Sequence, residues 1–292
     1  MKGTLKTKAK RFKWIWFFRM AAMLTVVTPI AYIAIWAPAI AMPLYNMALF
    51  QPWKYPVGLY DKPIACGIKP EDVYFKNASG NKLHAWLYKV PHAKKIFLVN
   101  HGNGGNLSIR MELAGKLLKT GNSVFVYDYQ GYGRSDGTST MATICDDGLA
   151  AYNYLTNDLH YDPNQIILFG ESLGSVVAGD LAGHVKCAGV ILECPLYSVL
   201  RRGNELIPMT RFYPDWMWPK GGLDNSKVFA KAHAPLLIIS GTKDNVIPVG
   251  HADDLYAIAC QPKSYVRIEG AGHTDLSSPL FDAGIGQFLK GI

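Results

Sequence analysis

Beyond about residue 70, the hydrophobic pattern of the chain alternates between the period of a strand and that of a helix. The segments 71–77 and 83–90, joined by a polar turn, predict two paired strands. Further along, short continuous apolar runs predict strands buried on both faces, at 95–100, 123–129, 165–169, 188–193, 235–240 and 265–269. Helices are predicted between them, at 109–119, 142–155, from Ser172 onward, at 252–259 and at 281–289.

This alternation predicts an α/β fold, with a mostly parallel central sheet and helices on both faces. The insertion at 195–232 interrupts the alternation where a short crossover would be enough, and its stretch 209–219 is rich in aromatic residues. In such sheets, the loops after the carboxyl ends of the strands form the ligand site. We therefore expect the insertion to be a short lid. The alternative is a longer crossover helix with an ordinary packed face.

The N-terminal pattern predicts a membrane anchor. Residues 1–19 hold seven Lys and Arg and no acid, and they run into the uncharged segment 20–42. That segment is long enough to cross a bilayer, which needs about 20 apolar residues, and the basic flank predicts a cytoplasmic N-terminus and an extracytoplasmic body. The alternative is a cleaved signal peptide, because small residues at 37–41 resemble a cleavage site, and the protein would then be secreted. The predicted organisation is a basic cytoplasmic segment, a single-pass anchor, a linker and one globular domain, at 1–19, 20–42, 43–69 and 70–292.

The charge distribution argues against a nucleic-acid partner. The formal net charge is +8, and residues 1–19 carry seven of these eight charges. The rest of the chain is nearly neutral and offers no surface that would follow phosphates. We therefore expect the lipid bilayer, and no nucleic acid, as a partner.

The sequence lacks the motifs of metal and dinucleotide sites. The five cysteines are odd in number and include no CxxC pair. There is no HExxH motif and no glycine fingerprint after a first strand. We therefore expect neither a metal nor an organic cofactor, and we expect small buried thiols, with one disulfide left open as an alternative.

The segment 170–174 (GESLG) predicts a nucleophile elbow around Ser172. It follows an apolar strand and precedes an apolar helix, which is the context that makes the short G-x-S-x-G pattern informative. The flanking glycines permit a strained turn that presents the hydroxyl above the sheet. Taken alone, Ser172 could instead cap its helix.

Two further residues follow strands and complete a catalytic arrangement. His273 comes just after the last predicted strand and is the candidate general base, while Asp244 follows the strand 235–240 and is the candidate acid that orients the imidazole. The order Ser172, Asp244, His273 is the order that α/β-hydrolases use. Asp244 could also be a turn residue, with Asp275 competing for the acid role, and His273 could be a solvated loop residue.

The predicted oxyanion hole consists of two backbone amides. The Leu173 amide follows the nucleophile, and the Asn103 amide lies in the glycine-rich loop 101–106 after the strand 95–100. The alternative for this loop is a plain glycine turn. We expect His101 to be structural and to lie below the site.

Three motifs occur in register along the chain, at 101–106 (HGNGGN), 128–135 (DYQGYGRS) and 170–174 (GESLG). Over about residues 70–290 the chain resembles the α/β-hydrolase-domain family of membrane-anchored serine hydrolases, which includes depalmitoylating thioesterases and more distant prolyl-oligopeptidase-type relatives. The resemblance implies the α/β-hydrolase fold, a catalytic triad of Ser172, Asp244 and His273, and a role for the second motif. Family members often carry Arg where this chain has Gln130.

The function expected from the sequence is hydrolysis of a carboxylic ester or thioester through an acyl-Ser172 intermediate. The anchor and the aromatic insertion indicate an apolar acyl group. Two alternatives stay open, a prolyl-oligopeptidase-like serine peptidase and a non-catalytic, membrane-tethered binding scaffold.

Overall fold

The computed structural model describes residues 2–218, 223–274 and 278–292, with side chains from residue 14 onward. Within these residues, the main sheet contains eight strands: β1 Glu71–Lys76, β2 Lys82–Tyr88, β3 Ile96–Asn100, β4 Ser123–Tyr127, β5 Ile166–Glu171, β6 Gly189–Glu193, β7 Leu236–Gly241 and β8 Lys263–Ile268. The α-helices are α1 Lys2–Trp36, α2 Pro38–Leu49, α3 Met111–Leu118, α4 Ile144–Asn153, α5 Gly174–His184, α6 Val199–Leu206, α7 Asn225–Phe229, α8 Gly250–Ile258 and α9 Pro279–Lys290.

The sheet is mostly parallel, as the sequence predicts. Its strands lie in the order β8-β7-β6-β5-β3-β4-β2-β1, and β2 runs antiparallel to both of its neighbours. The central strands are buried along their whole length because they are continuously apolar and two hydrophobic clusters cover them. The carboxyl ends of β5 and β7 therefore meet at the edge of the sheet where ligand sites form.

Most element bounds agree with the sequence prediction. Each predicted strand is present in the described chain, with bounds that differ by no more than two residues. The helix expected from Ser172 begins at Gly174 instead, because Ser172 has a backbone φ of +54°, which is incompatible with a right-handed helix.

The N-terminal apolar segment forms two helices. Within α1, residues Trp14–Trp36 are long and apolar enough to cross a membrane and are not buried against the rest of the protein. A signal sequence near an N-terminus shares these properties. Ala37 then adopts an extended conformation with ψ of 138°, because a residue that precedes proline is disfavoured in the helical region. The break falls inside the segment 20–42, for which a single span was expected.

Helix α2 packs onto the globular body. Ala41 and Tyr45 are buried and belong to the same hydrophobic cluster as the sheet, and Phe50, just after the helix, joins them. A two-residue parallel pairing of Gln51–Pro52 with Gly104–Gly105 continues this attachment. The first part of the segment expected to be a linker is therefore a packed helix.

The insertion 195–232 contains short elements rather than one long crossover helix in its described part. Helix α6 is followed by two 3₁₀ turns, Pro208–Phe212 and Asp215–Met217, and then by α7. The two ends of the insertion are joined by a hydrogen bond, because the side chain of Asn225 donates to the carbonyl of Leu196 at 2.8 Å. The insertion also contacts the end of α1, where the Tyr213 hydroxyl donates to the carbonyl of Ile33.

Candidate active site

Ser172 lies at a sharp turn between β5 and α5 that glycines make possible. Its φ of +54° is in the left-handed region, which is uncommon for a residue with a side chain. A Cβ atom added at Gly174 would lie 1.9 Å from the carbonyl oxygen of Asn100, and one added at Gly170 would lie 2.6 Å from backbone atoms of α5. Both positions therefore require glycine, and the turn presents the serine hydroxyl beyond the end of the sheet.

The structure brings the three predicted residues into one chain of hydrogen bonds. Nε2 of His273 lies 3.0 Å from Oγ of Ser172, and Nδ1 of the same ring lies 2.6 Å from Oδ2 of Asp244. Because Asp244 accepts at Nδ1, the neutral ring carries its proton there and leaves Nε2 free to accept the serine proton. This geometry can convert a hydroxyl into a nucleophile.

Asp244 is held as a carboxylate. Burial tends to raise its pKa, but hydrogen bonds from His273 and from the backbone amides of Ile247 and Val246 outweigh burial, and the pKa is lowered from its ordinary value. The two amides bind Oδ1 and leave Oδ2 for the imidazole. Asp275, the competing candidate for the acid role, lies outside the described residues.

The two predicted oxyanion donors are the amides of the residues that follow Ser172 and Gly102 in the chain. Among the described residues, neither the Leu173 amide nor the Asn103 amide has a hydrogen-bond acceptor. A Cβ atom added at Gly102 would lie 3.4 Å from Cβ of Ser172, so the glycine-rich loop passes directly beside the elbow. Unpaired N–H groups in such a position can stabilise a developing negative charge.

The motif at 128–135 holds this loop in place. The Tyr129 hydroxyl donates to the carbonyl of His101 at 2.9 Å, and the Tyr132 hydroxyl donates to that of Asn103 at 2.6 Å. Asp128 accepts the amide of Leu107 at 2.7 Å, at the far end of the loop. The rings of Tyr129 and Tyr132 also pack against the buried His101 ring, which fits the structural role expected for it.

Gln130, the departure from the family pattern, faces a different part of the molecule. Its backbone and side-chain amides both donate to Asp147 on α4, and its side-chain oxygen accepts from Asn81. Burial raises the pKa of Asp147 to about 6, against the effect of these hydrogen bonds and the one from Asn77. Gln130 therefore connects α4 to the turn between β1 and β2.

A buried group of charged residues behind the elbow was not found from the sequence. Glu171 and Glu193 are register partners at the ends of β5 and β6, and Nε of Arg110 lies 2.8 Å from Oε2 of Glu171. That close contact is an ion pair rather than an aligned hydrogen bond. Burial, reinforced by the Glu171 charge, raises the pKa of Glu193 well above its ordinary value.

Cys194 lies beside the triad without forming a convincing metal site. One ligand-type atom each of Cys194, Asp244 and His273 lies within 4.8 Å of the others. Nδ1 of His273 is already engaged with Asp244, and burial raises the pKa of the Cys194 thiol, which disfavours the thiolate that a metal requires. The donor set fits a metal poorly, and the expectation of no metal stays a prediction.

Comparison with known proteins gives sequence relatives over most of the domain. Residues 91–228 match the family described as serine aminopeptidase, S33. The chain is 34% identical to an uncharacterized protein of Mycobacterium tuberculosis over 222 residues, which cover 73% of this chain and 76% of that protein. It is 31% identical to α/β-hydrolase domain-containing protein 17B of Homo sapiens over 206 residues, which cover 69% of this chain and 68% of that protein.

Solved structures share the fold. An esterase of Pyrococcus furiosus, Pf2001, has a TM-score of 0.68 at 19% identity and aligns with 83% of this chain and 98% of its own. An α/β hydrolase of Vibrio vulnificus has a TM-score of 0.59 at 20% identity and aligns with 76% of this chain and 79% of its own. These similarities confirm the predicted α/β-hydrolase fold. Together with the sequence relatives, they show that the chain belongs to the α/β-hydrolase-domain family, a family of hydrolases.

Proposed function

We propose that this protein is a serine hydrolase that cleaves a carboxylic ester or thioester through an acyl-Ser172 intermediate. The observation that carries the proposal is the unbroken chain of hydrogen bonds from Asp244 through His273 to Ser172, with distances of 2.6 and 3.0 Å. Chance juxtaposition is a weak explanation, because the three residues follow three different strands.

The reaction proceeds in two halves. Oγ of Ser172 attacks the carbonyl carbon while Nε2 of His273 takes the hydroxyl proton, and the amides of Leu173 and Asn103 hold the oxyanion of the tetrahedral intermediate. The intermediate collapses as His273 gives that proton to the leaving alcohol or thiol. Water then attacks the acyl group, with His273 again as base, and the cycle ends with a free carboxylic acid and the restored Ser172 hydroxyl.

The leaving group and the acyl group are inferred from different features. Ester or thioester hydrolysis is favoured because the motifs at 101–106, 128–135 and 170–174 resemble those of membrane-anchored serine hydrolases, a group that includes depalmitoylating thioesterases. The aromatic insertion favours an apolar acyl group. The description serine aminopeptidase of the matching family keeps a peptidase as the second candidate, and a purely binding scaffold is disfavoured because it would not need all three catalytic roles.

We expect Ser172→Ala to abolish labelling by a fluorophosphonate probe and to lower hydrolysis of p-nitrophenyl esters to the level of the buffer, because the variant lacks the attacking oxygen. Ser79→Ala is the matched control, since Ser79 is exposed in the turn between β1 and β2. Labelling of the two variants and the wild type is read by in-gel fluorescence, and hydrolysis is read by absorbance.

The choice of substrate separates the candidate functions. Hydrolysis of acyl esters and acyl thioesters without hydrolysis of aminoacyl p-nitroanilides supports the proposal. Faster turnover of the anilides would favour the peptidase. Labelling that persists in Ser172→Ala would refute the nucleophile assignment, and a wild type that neither labels nor hydrolyses would favour the scaffold.

Arg110 and Glu171 connect the oxyanion loop to the elbow. Glu171 precedes the nucleophile, and Arg110, paired with it, also donates from Nη2 to the carbonyl of Gly104 at 2.9 Å. A Cβ atom added at Gly102 would lie 3.0 Å from Oε1 of Glu171, so the loop rests on this carboxylate. The pair therefore connects the loop that carries the Asn103 amide to the strand end that carries Ser172.

We expect Glu171→Gln to lower kcat at least about tenfold with KM within about threefold, because a displaced oxyanion donor costs transition-state stabilisation rather than substrate binding. The substitution also leaves the largely buried Arg110 without its partner charge. We expect this loss to lower the free energy of unfolding by about 3–5 kcal/mol. Glu71→Gln, which breaks the exposed ion pair with Lys89, is the control and is expected to leave both parameters unchanged. A folded Glu171→Gln variant with normal kcat would contradict this role.

We also propose that the N-terminal helix is retained as a membrane anchor with a cytoplasmic N-terminus. The end of α1 is attached to the body, because Tyr45 donates to the carbonyl of Trp36 at 2.6 Å and Tyr213 donates to that of Ile33. Cleavage within 37–41 would remove both acceptors.

We therefore expect the protein purified from membranes to keep residues 1–42. Its intact mass measures this directly. A mature chain that begins near residue 40 would show that the segment is a signal peptide.

A further inference from the structure

A largely apolar cavity of about 440 Å³ lies between α2 and the insertion. One wall is formed by α2, through Tyr45, Ala48 and Leu49, and the opposite wall is formed by the insertion. The insertion contributes the apolar side chains of Leu196, Val199, Leu200, Leu206, Ile207, Trp218 and Leu223. A concave apolar site of this size is typical of small-ligand binding.

One end of the cavity lies next to the candidate active site. The carbonyl of Leu49 accepts a hydrogen bond from the Asn103 side chain at 3.0 Å, so this part of the wall adjoins the predicted oxyanion loop. Leu196 lies two residues beyond Cys194, whose Sγ accepts from the amide of Thr274, the residue that follows His273. The cavity is therefore bordered by elements that continue into both sides of the triad.

The other end of the cavity lies near the C-terminal end of the proposed membrane span. Trp36, the last residue of α1, Tyr45 on α2 and Trp218 in the insertion form a row of aromatic rings, with centroid distances of 6.4 and 5.2 Å. The Tyr213 contact with Ile33 ties the insertion to the same point of α1. The C-terminal end of α1 thus packs against residues of the cavity wall and of the insertion.

Exposed apolar side chains extend the cavity rim towards the span. Met47 on α2 is 74% exposed and Trp216 in the insertion is 77% exposed, and further large exposed apolar residues lie on the same two elements: Ile40, Leu44, Leu206 and Phe212. Apolar and Trp side chains in such a position are suited to the bilayer interface. A chain that leaves the bilayer there can enter the cavity without crossing water.

We propose that this cavity binds the acyl chain of a membrane-resident ester or thioester, with its carbonyl directed towards Ser172. The proposal rests on the proposed hydrolase function and on retention of the anchor. An acyl chain is the occupant that the structure favours, because most of the lining surface is apolar even though charged residues such as Arg202 and Asp224 share it. One wall also adjoins the end of the proposed span, and the other end adjoins the loops that carry the triad. Each methylene that moves from water into the cavity adds to binding.

Two substitutions fill the cavity from opposite walls. Ala48→Trp places a large ring on the α2 wall. Gly203→Leu adds a side chain on the α6 wall, where an added Cβ meets no atom within 4 Å and where leucine favours the helix more than glycine does. Ala257→Trp is the matched control, because Ala257 is an exposed alanine on α8 that does not line the cavity.

The full-length proteins are compared in lipid nanodiscs with p-nitrophenyl acetate and p-nitrophenyl dodecanoate. We expect each cavity-filling variant to lower the ratio of kcat/KM for dodecanoate to that for acetate by at least about tenfold, and the control to keep the ratio within about twofold. Equal losses for both esters, or no loss for either, would overturn the proposal.

Binding of a fluorescent dodecyl ether, which cannot be hydrolysed, gives a readout that is independent of catalysis. We expect the Ser172→Ala variant to bind this ether and the two cavity-filling variants to bind it at least about tenfold more weakly. Equal binding by all variants would refute the cavity assignment even if esters are cleaved. Weakened binding without any ester hydrolysis would support the cavity and refute the proposed reaction.

Discussion

The left-handed backbone of Ser172 is the constraint on which the candidate site depends. A residue with a side chain in this conformation costs of order 1–3 kcal/mol, and it persists only when its surroundings determine it. Here the backbone of β3 and the start of α5 approach so closely that only glycine fits at Gly174 and Gly170, while the Ser172 amide donates to the carbonyl of Glu193 at 2.9 Å. The strain aims the hydroxyl at His273 and leaves the Leu173 amide with no acceptor among the residues that the structure describes.

The carboxyl groups around this turn have different environments and different roles. Asp244 stays ionised because the imidazole and two amides compensate its burial, and its charge stabilises the imidazolium that forms when Ser172 loses its proton. Behind the elbow, Arg110 pairs with Glu171, and burial raises the pKa of Glu193. A raised pKa at Glu193 suits a site in which negative charge develops, because it disfavours a further negative charge beside the oxyanion.

The sequence was sufficient to predict what depends on local pattern and chain order. The apolar runs that became β3 to β7 are buried on both faces, and the three candidate catalytic residues follow three of the predicted strands. It was insufficient for contacts that arise from register and packing. The pairing of Glu171 with Glu193 depends on the alignment of two strands, although a glutamate at the end of each apolar run was a usable signal. Likewise, the sequence divides α2 between the predicted anchor and the predicted linker, because the apolar face of α2 has no partner until the insertion folds against it.

The pH dependence of kcat/KM in the wild type and in Asp244→Asn tests the central claim most directly, because it measures the coupling of imidazole and carboxylate. The pKa of Asp244 is lowered from its ordinary value of 3.8, so its carboxylate is lost only as the pH falls through that lowered value and gives no inflection between about pH 5 and 9. We expect a single ionisation to govern the fall of kcat/KM at acidic pH in the wild type. We expect Asp244→Asn to lower kcat about 10⁴-fold, because the substitution removes the imidazole tautomer that accepts the serine proton. Activity of a folded Asp244→Asn variant within tenfold of the wild type would contradict the account.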